Sequence, residues 1–102
     1  MELTGAQRKY LRGLAHNLNP AAFVGHKGFN LALTDEIETA LSNNELIKIK
    51  FVDHKEKTDK TEILEKIVKQ TNASLAGMTG HVAVLYRQHK EAEKRSICLP
   101  LK

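Results

Sequence analysis

The chain has 102 residues, which suits one domain spanning 1–102 with a modest core and leaves no room for two. It is 41% hydrophobic and 27% charged, holds no run near the roughly 20 apolar residues that cross a bilayer, and opens without the basic and apolar regions of a signal peptide, so a cytoplasmic product is expected. A net charge of +4 suits an anionic partner, and a single cysteine, Cys98, excludes an internal disulfide.

The charge is segregated along the chain. Residues 1–29 carry Arg8, Lys9, Arg12 and Lys27 against Glu2, whereas residues 30–46 carry only Asp35, Glu36, Glu38 and Glu45. Basic residues outnumber acidic ones again in 47–70 and in 71–102. A fold that gathers the basic segments on one side makes a footprint for phosphate.

A first helix is predicted from an N-cap at Thr4, with Gln7 completing a capping box and Leu3 placed for a hydrophobic staple. Ala6, Tyr10, Leu11, Leu14 and Ala15 follow helical spacing and are expected to face the core, while Arg8, Arg12 and His16 run along another face with Lys9 beside them. The helix should end near Asn17, because a residue preceding Pro20 is pushed out of the helical region. Residues 21–24 (Ala-Ala-Phe-Val) read as a short buried strand that stops at Gly25-His26-Lys27-Gly28. Asn30 is the expected N-cap of a second helix that buries Leu33, Ile37, Ala40 and Leu41 and ends at Ser42-Asn43-Asn44.

Residues 46–52 give the clearest strand, with Ile47, Ile49 and Phe51 alternating with Lys48 and Lys50. The polar run 53–60 reads as a loop, and a third helix over about 60–71 buries Ile63, Leu64, Ile67 and Val68. A weak strand over 73–78, a turn at Thr79-Gly80, a strong strand over 81–87 and a charged turn over 88–94 follow, with one more short strand expected over 95–99. The order α-β-α-β-α-β-β makes an α/β chain, an α+β two-layer sandwich in which a mixed sheet packs on helices.

The Gly25–Gly28 loop is the segment that carries chemistry. Glycines let the backbone turn tightly and let a ligand approach the main chain, and the helix that follows offers free N–H groups and the positive end of its dipole to a phosphate. Lys27 adds a charge at the tip, and His26 adds a hydrogen bond or a stacking ring. The GXXG loop of KH domains clamps a nucleic-acid backbone by the same logic, whereas neither glycine pattern of the mononucleotide or dinucleotide binders is present. Two glycines at this spacing also occur in ordinary turns, alternating lysines such as Lys48 and Lys50 are usually a solvated sheet face, and Arg87 at a strand end is usually an edge charge. A glycine-flanked basic loop beside them favours one shared surface. His16, His26, His54, His81 and His89 show no ligand pairing, so no metal, cofactor or catalytic set is expected, and Asp35, Glu36 and Glu38 read as a solvated helix face.

The runs Arg8-Lys9-Tyr10-Leu11-Arg12-Gly13-Leu14-Ala15-His16, Leu18-Asn19-Pro20 and Val24-Gly25-His26-Lys27-Gly28-Phe29, with Glu45-Leu46-Ile47-Lys48-Ile49-Lys50 and Leu85-Tyr86-Arg87, resemble the CRM domain, named for chloroplast RNA splicing and ribosome maturation. A free-standing domain of this length is similar to the bacterial YhbY-like proteins. The resemblance implies a four-stranded mixed sheet similar to the C-terminal domain of translation initiation factor three. It also implies association with ribosomal RNA (rRNA) in precursors of the large ribosomal subunit. Carried over by position, Gly25, His26, Lys27 and Gly28 are the RNA-binding loop, supported by Arg8, Lys9, Arg12, Lys48, Lys50 and Arg87. Two departures stand out: His26 replaces a small polar residue, and the segment 88–95 is longer than the family's final turn.

The expected function is therefore a monomeric, non-catalytic RNA-binding factor for large-subunit assembly, with ribosomal proteins as neighbours. The alternatives are a protein-interaction module whose basic face docks an acidic protein, and a small nucleic-acid-processing enzyme that uses His26 as acid or base.

Overall fold

The computed structural model describes residues 2–101. Its elements follow as α1 (Gly5–Ala15), β1 (Pro20–Val24), α2 (Leu31–Asn43), β2 (Leu46–Phe51), α3 (Lys57–Thr71), β3 (Ser74–Thr79) and β4 (Val82–Tyr86), with a 3-10 turn at Ala92–Lys94. The strands form one mixed sheet in the order β1-β2-β4-β3. β1 pairs parallel to β2, which requires the α2 crossover between them, and the other pairs are antiparallel.

Alternation on the inner strands divides the side chains between two layers. Ile47, Ile49 and Phe51 of β2, with Ala83 and Leu85 of β4 and Ala22 and Val24 of β1, meet Leu33, Ile37 and Leu41 of α2 and Ile63, Leu64 and Ile67 of α3. The opposite face presents Leu46, Val84, Tyr86 and Ala76, which meet Leu11 and Ala15 of α1, together with Leu3 and the tail residues Ile97 and Leu99. The element order and the mixed sheet are as the sequence predicts, but the two-layer packing is not: α1 lies across the sheet from α2 and α3 and adds a third layer, because both faces of β2 and β4 carry apolar side chains.

Local chemistry fixes the first two helices. The Thr4 hydroxyl accepts the Gln7 N–H at 3.1 Å and the Gln7 side-chain oxygen accepts the Thr4 N–H at 3.0 Å, a complete capping box. The staple does not form: the facing position is Arg8, whose guanidinium donates to the Leu3 carbonyl at 2.8 Å while the Leu3 side chain enters the second cluster. Asn30 caps α2 by accepting the Leu33 N–H at 3.0 Å.

Several expectations need correction. Ala6, Tyr10 and Leu14 are exposed, because a single helix touches a flat sheet along the narrow strip of Leu11 and Ala15. α1 ends at Ala15, about one half-turn early, and α3 begins at Lys57 inside the run read as a loop. Glu56 makes no side-chain cap there, so the sequence carries no start signal. β1 is an edge strand and only half buried: Ala22 and Val24 point into the core while Phe23 is 53% exposed.

No strand forms over 95–99. Its backbone is taken instead by Glu45, a buried carboxylate that accepts the N–H groups of His89 (2.7 Å), Ser96 (2.8 Å) and Ile97 (3.1 Å) and the Ser96 hydroxyl (3.3 Å). The tail then runs along α1, where the Gln7 side chain donates to the Pro100 carbonyl at 2.8 Å. Burial alone would raise the Glu45 pKa, but these donors outweigh it and hold the carboxyl below its ordinary 4.5.

A lowered pKa in the folded state means that this stabilisation is present above the ordinary carboxyl value and is lost as pH falls through the folded one. Acidification below pH 4.5 should therefore release the tail, seen as a coupled shift of the Ser96 and Ile97 amide resonances. Glu45→Ala should abolish that transition and cost about 1–3 kcal/mol in urea denaturation at neutral pH, since three N–H groups lose a charged acceptor.

Candidate nucleic-acid interface

The glycine loop rises from the end of β1, and a second loop braces it. The Val24 carbonyl accepts the N–H groups of Val52 (3.0 Å) and Asp53 (3.2 Å), so the chain leaving β2 passes beside the chain leaving β1. Gly25 to Gly28 form a tight turn closed by the Gly28 N–H on the Gly25 carbonyl at 2.9 Å, with His26 and Lys27 at its corners. Gly28 adopts φ +62°, a backbone that side chains rarely tolerate, and a Cβ there would sit 3.3 Å from His54 Nε2.

His54 is the brace. Its own φ is +54°, held by its N–H on an Asp53 carboxylate oxygen at 2.7 Å. Its Nε2 lies 2.7 Å from the His26 carbonyl; a carbonyl only accepts, so Nε2 must carry the proton. The carboxylate of Asp53 is held below its ordinary pKa first by that His54 N–H, then by the two imidazoles beside it. His26 Nδ1 stands 3.6 Å from Asp53 and the ring is 97% exposed, so it remains available at the surface.

On the other side Asn30 joins loop to helix. Its side-chain nitrogen donates to the Gly28 carbonyl at 3.1 Å while its oxygen caps α2. Lys27 is exposed and makes no hydrogen bond or ion pair among the described residues. An unpaired ammonium thus sits at the tip of a turn whose main chain is fixed from two directions, at the positive end of α2.

The supporting basic residues divide. Arg12, His16 and Lys48 line a groove between α1 and the sheet with Thr79, Val82 and Val84. The Arg12 stem lies over Gly77, where a Cβ would come within 2.5 Å of its Cδ, and its guanidinium donates to the Ala76 carbonyl at 2.9 Å. Lys48 donates to the His16 carbonyl at 3.0 Å, tying the end of α1 to β2. Lys50, exposed on the same face, pairs in register with Phe23 of β1. Arg8 and Lys9 lie about two turns back along α1, with Arg8 engaged on Leu3.

Arg87 is elsewhere. It follows the end of β4 that pairs with the start of β2, a sheet-length of about 17 Å from the loop end at roughly 3.3 Å per residue. Its guanidinium pairs with Glu38 and donates to the Thr71 carbonyl (2.9 Å) and the Ser42 hydroxyl (3.1 Å), leaving it 23% exposed. That contact holds the Glu38 carboxyl below its ordinary pKa. Arg87 clasps α2, α3 and β4 together and does not share the loop's surface. Asp53 and His54, in contrast, belong to the site although their position in a polar run gives no signal of it. Among the described residues no group of three histidine, cysteine or acidic side chains is placed to hold a metal ion, and no helix is long and apolar enough to cross a membrane.

Residues 3–87 match the CRS1 / YhbY (CRM) domain. The chain is 41% identical over 91 residues to an RNA-binding protein of Haemophilus influenzae, covering 89% of this chain and 91% of that one. It is 38% identical over 89 residues to the probable RNA-binding protein YqeI of Bacillus subtilis, covering 87% and 92%. The solution structure of the hypothetical protein SAV1595 from Staphylococcus aureus superposes with a TM-score of 0.83 at 37% identity, over 97% of this chain and all of that one.

The two loop glycines should respond differently to substitution. Gly28→Ala should cost about 1–2 kcal/mol for its left-handed backbone, and the close His54 ring adds to that. Gly25→Ala meets open space without a positive φ and should be neutral or slightly stabilising. Urea midpoints of the two variants check the contrast; equal losses would mean that the turn is not built as described.

Proposed function

The chain belongs to the CRS1 / YhbY (CRM) domain family, and from that premise we propose that it is a non-catalytic RNA-binding protein whose Gly25–Gly28 turn grips the RNA backbone. The observation that carries this reading is the unpaired Lys27 ammonium on a turn fixed by His54 and Asn30. Backbone amides at the start of α2 and the Lys27 charge fit phosphate oxygens, and little conformational entropy remains to be lost on binding because the turn is already held. Arg12, His16, Lys48 and Lys50 extend the contact along the groove beside α1.

Phosphate contacts of this kind fix register without reading sequence, so selectivity falls to RNA shape and to neighbouring proteins. The family resemblance points to rRNA of the large ribosomal subunit as the ligand and to assembly of that subunit in the cytoplasm as the setting. The His26–Asp53 contact orients the turn in this reading and transfers no proton.

Binding to large-subunit rRNA fragments across a salt series tests the proposal. Wild type should weaken steeply with salt, and Lys27→Glu should weaken binding on every fragment and flatten the log–log salt slope by about 1 or more. Arg87→Gln, checked for folding, should leave the slope unchanged. If Lys27→Glu binds as wild type does, the turn is not the clamp; if binding persists only through an acidic protein after nuclease treatment, the basic face is a protein-docking surface.

A further inference from the structure

Phe23 is an anomaly of the bare sheet face. It points away from the core that takes Ala22 and Val24, on an edge strand, and stays half exposed. Single exposed apolar residues are ordinary on protein surfaces, so exposure alone says nothing. Its surroundings say more. In register beside it is Lys50, which projects from the same face because Ile49 and Phe51 point the other way. Lys48 is two residues back along β2, and Val52, also half exposed, is two residues on. An aromatic ring thus lies beside Lys50, with Lys48 two residues back on the neighbouring strand leading into the Arg12–His16–Lys48 groove.

The position along the strand is equally specific. Phe23 precedes Gly25 by two residues, a separation of roughly 6–7 Å in an extended chain. An RNA backbone held at the turn and neutralised by Lys48 and Lys50 therefore passes across this ring. A phenyl face at that point offers a surface to the one part of the nucleotide that phosphate contacts leave unread. In a duplex the base faces are already stacked on one another, so only an unpaired base can use it.

Resting on the reading that the glycine turn binds RNA, we infer that Phe23 is a stacking platform for one unpaired base, and that the ligand of this face is single-stranded RNA. Lys50 beside the ring and Lys48 two residues back hold the phosphates that lead from the stacked nucleotide toward the groove. Sequence tolerance follows, since every base has a π face.

The chain contains no tryptophan, so Phe23→Trp places a single indole reporter at the site while keeping an aromatic face. The probes are an eight-nucleotide single-stranded RNA and the same strand annealed to its complement. The expected results are quenching of the indole by the single strand and not by the duplex, and a loss of about tenfold in single-strand affinity for Phe23→Ala. The salt slope of Phe23→Ala should match wild type, because no charge is removed. If Lys27→Glu flattens the slope and weakens binding but Phe23→Ala binds the single strand as wild type does, the stacking inference is overturned and the turn reading stands. Equal quenching by duplex and single strand also overturns it. If Lys27→Glu has no effect while Phe23→Ala still loses affinity, the stacking site stands and the turn reading fails.

Discussion

Strand β2 (Leu46–Phe51) is the constraint around which the molecule is arranged. It is hydrogen-bonded on both edges, parallel to β1 and antiparallel to β4, and its side chains alternate between two environments. Ile47, Ile49 and Phe51 commit one face to α2 and α3; Leu46 begins the other face under α1, and Lys48 and Lys50 continue it into solvent. A slip of one residue would bury both lysines, so register is strongly specified. The basic face and the hydrophobic core are therefore the two sides of one strand, and neither can be changed without the other.

The loop owes its shape to the same arrangement. Because β1 and β2 run parallel, the connections that leave them emerge at the same end, and the Val24 carbonyl can collect both Val52 and Asp53. That proximity delivers His54 to the His26 carbonyl from a segment more than twenty residues away in sequence. Parallel pairing thus supplies two adjacent loops, one to present charge and one to hold it in place. Lys27 needs no partner of its own because the backbone beneath it is already fixed.

Much of this was legible in the sequence where the signal is local. The Thr4–Gln7 capping box, the Asn30 cap, the alternation of β2 and the glycine turn all follow from short-range chemistry, and the structure has the first three as read. The illegible parts depend on partners from distant segments. Four consecutive apolar residues at 21–24 carry no information about which face is covered, and the edge position that exposes Phe23 is a tertiary fact. Arg87 looks like a free charge until Glu38, Ser42 and Thr71 arrive from two helices. Glu45 reads as one more acid in a negative stretch, yet its carboxylate replaces the strand expected over 95–99.

The bond between the Gln7 side chain and the Pro100 carbonyl has an architectural consequence. It joins Gln7 to Pro100 at the start of α1, at the far end of that helix from His16 and the groove it borders. One hydrogen bond thus closes a span of 93 residues, so the tail and the first turn of α1 are held as one cooperative unit and loosening either loosens the other.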